Sequence, residues 1–314
     1  MARLPIPGGD EGNWGDILNE FLQVSHRADG SLKNVSEVIN VKDFGAVGDG
    51  ITDDQPAVQA ALNAGGINGG RLYFPGGTYK INFSRLIYNS TKPLELFGDG
   101  WQSKLLWNPA TDSPAQDKGM LNIHGMGDLS TEWCISAVIR DLAFDFGGSR
   151  ATGWAEDKRG INIFNTEDIY VLNCFLKGCR GEMVGLSNFS GTGTAQNRAL
   201  IQGNYLYDFA QDGVNPNQYF SKVIANHFEK GVYPIEVGGA ECIITNNVMK
   251  NCTGYTHVDS QQFVINDNII TNPTDAPGGA AIQLTGAGGA AAAKHGVIKN
   301  NTIITTSNNY GHRA

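Results

Sequence analysis

Glu236 and Asp259 are the two carboxylates of this sequence whose surroundings could set them to work as a pair. Each stands at the centre of a strand-like triplet, Ile235-Glu236-Val237 and Val258-Asp259-Ser260. Strand alternation turns the flanking residues inward and the central residue outward. The same triplet recurs as Ile161-Asn162-Ile163, Val184-Gly185-Leu186, Val214-Asn215-Pro216 and Ile282-Gln283-Leu284. If these strands stack, Asn162, Gly185, Asn215, Glu236, Asp259 and Gln283 form an outward column with neighbours about 4.8 Å apart. Two carboxylates that close do not both ionise freely, so one keeps its proton while the other is anionic. Hydrolysis of a glycosidic bond needs that division: one group protonates the leaving oxygen, the other activates water or attacks the sugar. His257, two residues before Asp259, points from the same face and could tune or relay a proton. The expected catalytic residues are therefore Glu236, Asp259 and His257. Asp212, Asn215, Tyr233, Tyr255 and Gln283 are the expected substrate contacts, the tyrosines by stacking on sugar rings. The plain alternative is a solvated polar ladder.

A second charge concentration, Asp141, Asp145, Glu156, Asp157 and Arg159, suits different chemistry. Elimination from a uronate uses carboxylates that hold Ca²⁺ against the substrate and an Arg or Lys base. Hydrolysis requires no metal and no cofactor, so Ca²⁺ enters only if the reaction is elimination. Asp141 has a competing role, because Ile139-Arg-Asp141-Leu-Ala143 matches the repeat described next and places Asp141 at a turn.

The elements that must position these residues announce themselves by repetition. An apolar–x–polar–x–apolar signature recurs as Val171-Leu-Asn173-Cys-Phe175, Ile201-Gln-Gly203-Asn-Tyr205 and Ile224-Ala-Asn226-His-Phe228. It continues as Ile244-Thr-Asn246-Asn-Val248, Ile265-Asn-Asp267-Asn-Ile269 and Ile298-Lys-Asn300-Asn-Thr302. The interval is roughly twenty to thirty residues, the size of one coil of a β-solenoid with occasional insertions. Period-2 alternation and abundant Asn, Gly, Val and Ile exclude a helical solenoid. The recurring Asn tolerates left-handed φ and bonds backbone groups in a turn, so stacked Asn is first a structural device.

Residues 43–81 form the entry to this array. Asp49-Gly50 is a turn dipeptide, Thr52 or Asp53 can cap a helix, and Pro56 is tolerated in its first turn. Val58, Ala61 and Leu62 give that helix an apolar face, and Gly65-Gly66 is its expected end. A strand Arg71 to Phe74, a turn at Pro75-Gly76-Gly77 and a strand Thr78 to Ile81 follow. Asp49, Asp53 and Asp54 read as cap and turn residues rather than a metal cluster. Upstream, Trp14, Ile17, Leu18, Phe21 and Leu22 recur at helical spacing behind Asn13, an amphipathic helix over 13–25.

The 43–81 segment, from Asp43-Phe-Gly-Ala-Val-Gly-Asp-Gly through Phe74-Pro-Gly-Gly-Thr-Tyr-Lys-Ile81, resembles the opening of the pectate-lyase-like domain found in rhamnogalacturonases, polysaccharide epimerases and phage tailspikes. The resemblance implies an all-β fold, a right-handed single-stranded parallel β-helix of the pectin-lyase kind with an N-terminal capping helix and a short helical leader. It also implies a complex or acidic polysaccharide as substrate. Residues 1–38 are the expected leader or attachment segment and 39–314 the β-helix domain. The leader resembles those of phage-tail and cell-surface proteins, which implies attachment to a carrier structure or a homotrimer. The Asn-Thr-Asp, Asp-Asp, Gly-His-Gly and Arg-Ile-Lys runs of polygalacturonase-like members do not occur here. The Tyr-Gly-x-Asp-Pro-His run of mannuronan epimerases is missing too. No catalytic residue is carried over from the family.

Composition narrows the partners. Net charge is −8, which argues against nucleic acid and gives no long-range steering toward anionic glycans. Glycine, 41 of 314 residues, is well above the usual ~7%, in keeping with many turns. The five cysteines include no C-x-x-C pair, so buried free thiols are expected rather than a zinc site or disulfide framework. No segment reads as a membrane span, and the first ten residues hold no apolar run of the secretory kind. An extracellular, virion or cell-surface location is expected. After the last repeat no cap is legible, so a partner or further chain is expected to cover the final coil. The function expected is glycosidic-bond cleavage, hydrolysis before elimination; the alternative is a non-catalytic glycan-binding or structural spike module.

Overall fold

The computed structural model describes residues 12–13, 16–19, 38–82, 85–108, 119–125, 133–148, 159–187, 198–216, 220–271, 281–284 and 295–304. The chain divides into two compact units, Met1–Val38 and Ile39–Ala314. In the first, residues 16–19 are helical and the Ile17 N–H donates to the Asn13 carbonyl at 3.1 Å. Trp14, Phe21 and Leu22 of the expected leader helix lie outside the described residues.

The second unit is a right-handed parallel β-helix. Alternation buries every second residue, so one strand can satisfy both backbone neighbours and core only by stacking on its copy in the next coil. Each coil accordingly supplies a strand to each of three faces. Phe175–Cys179, Val184–Ser187 and Arg198–Gln202 make one such coil, and Tyr205–Phe209 begins the next. All pairings between coils are parallel, as in Phe175 with Tyr205 and Arg198 with Phe220. One face is a sheet of ten strands. The other two merge where the long strands Tyr233–Thr245 and Thr256–Asn266 run unbroken around the corner between them. Ile161, Val184, Val214 and Ile235 stack inward with no exposed surface.

The corner after the repeat signature explains the asparagines. Asn173, Gly203, Ala225, Asn246, Asp267 and Asn300 all take φ between 53° and 70°, the left-handed region that Gly and Asn enter most cheaply. The next residue is the stacked one: Asn204, Asn226, Asn247, Asn268 and Asn301 pass a side-chain hydrogen bond from each to the next at 2.9–3.1 Å. Each side-chain oxygen also accepts a backbone N–H of the preceding coil, as Asn226 does from Asn204 at 3.0 Å. Sequence reasoning placed the stacked residue at the centre of the signature. The structure moves it one position on in the copies at Ile201, Ile244, Ile265 and Ile298; in Ile224–Phe228 Asn226 is the stacked residue and Ala225 the left-handed one, and in Val171–Phe175 the position after left-handed Asn173 is Cys174.

The N-terminal end is closed by the helix Gln55–Asn68, which buries Val58, Ala61, Leu62 and Gly65. It outlasts Gly65-Gly66 because Gly65 packs on Leu72 and the Gly70 backbone, and it stops at Gly69 with φ 88°. The N-cap is Asp54, not Thr52 or Asp53, and its carboxylate instead accepts the N–H groups of Val47 and Gly48. Asp49 accepts from Ile51 and Thr52, and Asp53 from Gln55. These three aspartates hold turns together, as the sequence implied. All five cysteines are buried and free.

Candidate active site

The outward column exists, with one change of register. Asn162 pairs with Gly185, and Gly185 with Asn215. Val214 pairs with Ile235, which carries Asn215 to Glu236. Glu236 then pairs with His257, and His257 with Gln283. Asp259 pairs with Gly238, two residues further along the strand and so about 6.6 Å from the position opposite Glu236. The expected Glu236–Asp259 couple is thereby corrected to Glu236–His257, with His257 Nδ1 at 3.4 Å from Glu236 Oε1. A shift of two residues preserves the inward and outward faces, which is why alternation alone did not fix it.

The structure adds carboxylates that the column did not contain. Glu182, in the turn before Val184–Ser187, is almost fully buried. Its side chain lies where a Cβ at Gly185 would be, and a methyl there would collide with Glu182 Oε2. Arg159 Nη2 approaches Glu182 Oε1 at 3.2 Å, and Asn215 Nδ2 reaches the same oxygen at 3.5 Å. Asp212, the first residue of Asp212–Pro216, has no exposed surface. Neither of its oxygens has a hydrogen-bond partner of good geometry. Burial pushes its carboxyl up to about 9, helped by the negative charges of Glu236 and Glu182. Asp212 is therefore neutral at pH 7.

The remaining expected residues gather here as well. Tyr233 pairs with Asp212 across the rung. The Tyr233 and Tyr255 rings lie 5.2 Å apart, and Tyr255 meets His257 edge-on at 5.9 Å. Burial raises the Tyr255 hydroxyl pKa, with smaller effects from Tyr233 and Glu236. Glu236 is the more open member, with 39% of its side chain exposed against 24% for His257. Deeper along the column Asn162 and Asn122 are buried, joined by an Asn162 Nδ2 to Asn122 Oδ1 bond of 3.3 Å.

The set expected for elimination is not brought together. Asp141 sits at a left-handed corner with Arg140 at 2.7 Å, and Asp145 bonds Lys177 at 3.0 Å on the ten-stranded face. Arg159 belongs instead to the Glu182 cluster; Glu156 and Asp157 lie outside the described residues. Among the described residues no group of His, Cys, Asp or Glu is arranged to hold a metal ion. A separate groove of roughly 840 Å³ has Glu241 as its only carboxylate among the described residues, with Lys222, Gln262 and His295 around it. It contains none of the candidate residues.

Residues 38–284 match the family described as rhamnogalacturonase A/epimerase, pectate lyase-like. The chain belongs to that family. Shorter matches join this member of the pectate-lyase-like family to curated proteins. It is 52% identical to the mannuronan C5-epimerase AlgE1 of Azotobacter vinelandii over 46 residues, 14% of this chain and 3% of that protein. It is 56% identical to the plasmin and fibronectin-binding protein A of Streptococcus pneumoniae over 45 residues, 14% of this chain and 6% of that protein. The chain thus spans only a small part of these curated relatives. The pre-mature gene product 12 of bacteriophage phi29 superposes with a TM-score of 0.54 at 17% identity, over 74% of this chain and 32% of that one. At that identity the likeness is one of fold.

Proposed function

We propose that this β-helix hydrolyses glycosidic bonds of a polysaccharide at the Asp212–Glu236 site. The observation that carries the reading is a carboxyl kept neutral at physiological pH, Asp212, set against a partly exposed carboxylate, Glu236, on one sheet face. Asp212 is the acid that protonates the leaving oxygen. Glu236 is the base or nucleophile at the sugar, oriented by His257. Glu182, paired with Arg159, lies beside Asp212, and its charge helps the acid to retain the proton that it must deliver. Tyr233 and Tyr255 supply ring faces at the edge of the site. Family membership supports a carbohydrate polymer as the substrate, and such polymers place the activity outside the cell or at a virion surface.

The test is incubation of the purified protein with a panel of neutral and acidic polysaccharides. Release of reducing ends without ultraviolet absorbance from an unsaturated uronate supports hydrolysis, and appearance of that absorbance replaces it with elimination. Asp212→Asn should lose polymer hydrolysis yet retain cleavage of aryl glycosides whose leaving group needs no protonation. Binding of a glycan without release of any product would make the chain a spike- or tail-type binding module instead.

A further inference from the structure

The ten-stranded face carries an exposed aromatic surface that chemistry at Glu236 does not use. Trp101 is 53% exposed, yet it is held in one orientation. The turn that bears it is pinned: Asp99 accepts from the Gly76 N–H at 2.9 Å and from the Tyr73 hydroxyl at 2.8 Å. Ser103 Oγ donates to the Phe74 carbonyl at 2.6 Å, and Gly100 takes the left-handed φ of 71°. Trp101 Nε1 donates to the Asn173 carbonyl at 3.3 Å. The indole lies 5.1 Å from the Phe175 ring and 6.3 Å from that of Tyr205, within 33° and 18° of parallel. Tyr205 is fixed in turn, because its hydroxyl donates to Glu229 Oε2 at 2.6 Å and His227 meets its ring at 4.7 Å. Rings already locked in place bind a ligand at little cost in side-chain entropy.

We infer that Trp101 anchors a second, non-catalytic polysaccharide-binding strip on this face, an inference that takes from the proposed function its polysaccharide and not its reaction. Shape selects the occupant. Phe175, Tyr205, His227, Val248 and Ile269 follow one another on five successive rungs, about 19 Å along the axis. The strip is one side chain wide. Lys177, Tyr207 and Glu229 flank it two residues along their strands, about 6.6 Å away. On the other side stand the corner residues Asp141 and Asn173, joined by a hydrogen bond of 3.4 Å. A pyranose is apolar on its ring faces and hydroxylated around its rim. A chain of pyranoses can therefore lay ring faces on the aromatic groups and turn hydroxyls toward the polar flanks. An extended peptide is disfavoured, since strand addition needs a sheet edge and this is a sheet face. A folded protein partner needs about 800 Å², far more than so narrow a strip offers.

Affinity electrophoresis through gels holding polygalacturonate, alginate, xyloglucan, galactomannan or dextran tests this, with Glu236→Gln as the parent so that no polymer is consumed. At least one polymer should retard the parent. Adding Trp101→Ala should weaken that binding about tenfold, roughly 1.4 kcal/mol, and Trp101→Phe, which keeps a ring, should lose less. A second readout needs no change at Trp101: the retarding polymer should protect its indole in the parent from oxidation by N-bromosuccinimide, mapped by peptide mass spectrometry. Trp107 and Trp133, both buried, are the internal references. Binding unchanged by Trp101→Ala, equal oxidation of Trp101 with and without polymer, or retardation by no polymer would overturn the inference. Trp101-dependent binding with no polymer of the panel hydrolysed by the wild type would leave it standing while removing the enzymatic reading. Hydrolysis of a polymer whose binding is indifferent to Trp101 would do the reverse.

Discussion

His257 lies directly across the rung from Glu236, with Nδ1 and Oε1 3.4 Å apart, whereas Asp259 lies across from Gly238. A neutral His257 can donate from Nδ1 to Glu236 and hold one carboxylate orientation, and a protonated one adds charge stabilisation. Asp259 stands two residues along the strand from that position.

The register therefore separates two carboxylate substitutions. Glu236→Gln should lower kcat by about 10²–10⁴, the range of a lost acid–base group. Asp259→Asn should stay within roughly threefold of the wild type, under about 0.7 kcal/mol. Reducing-end assays of both variants at equal folded concentration measure this. Equal losses in the two would mean that the catalytic couple bridges the Glu236 and Asp259 positions after all.

Asp212 ties activity and stability to pH. Its native carboxyl titrates near 9, against 3.8 for the ordinary group, so above about pH 4 the unfolded chain releases a proton that the folded chain keeps. Stability from this group is complete below the unfolded value and is lost as pH rises, by up to about 1.4 kcal/mol per unit, until the native group ionises near 9. Asp212→Asn should abolish that slope. Its melting temperature relative to wild type should therefore climb between pH 4 and 9, measured by thermal denaturation in buffers of matched ionic strength. A difference independent of pH would show that Asp212 is ionised in the folded protein. Wild-type hydrolysis should decline as pH rises through about 9, where the acid loses its proton.

The scaffold was legible because its corners repeat a chemical requirement. A left-handed residue followed by a stacked asparagine recurs from Gly203-Asn204 to Asn300-Asn301, and the flanking Ile and Val mark the core. The site was legible in its residue types but not in its register. A two-residue slip between Glu236 and Asp259 leaves alternation intact, so hydrophobicity could not distinguish Asp259 from His257. The asparagine ladder held the missing signal: Asn226, Asn247 and Asn268 are each 21 residues apart, and the same step from Glu236 reaches His257. Glu182 and Arg159 were harder to find, because both stand in turns whose path no periodicity describes. The nearest sequence clue was Gly185, an outward rung position without a side chain, which the structure fills with the Glu182 carboxylate.

The ladder itself should be costly to interrupt. Asn247 Oδ1 accepts from the Asn226 backbone N–H at 2.9 Å, and its Nδ2 donates to the Val223 carbonyl at 2.8 Å. Asn247→Ala strands both backbone groups inside the corner, at about 1–3 kcal/mol each. Urea denaturation should report a loss of roughly 2–5 kcal/mol. The remaining folded fraction should keep wild-type specific activity, since no candidate residue touches this corner. A loss below about 0.5 kcal/mol would mean that the asparagine is only one of several side chains the corner accepts.

Gly185 offers the sharpest test of how the carboxylates are held. A Cβ there meets Glu182 Oε2 and lies 3.2 Å from Asn162 Oδ1, so Gly185→Ala must displace Glu182 from its place beside Arg159 and Asn215. The backbone at 185 is ordinary strand, which alanine adopts without strain. The penalty should thus come from crowding, about 1–3 kcal/mol. Moving Glu182 away also removes one of the two negative charges that help Asp212 keep its proton, so the alkaline limb of activity should shift to lower pH. Adding Glu182→Gln to Gly185→Ala should then change that limb little further, because the charge would already have left. A pH profile unchanged by Gly185→Ala would place the source of the Asp212 shift in burial and Glu236 alone.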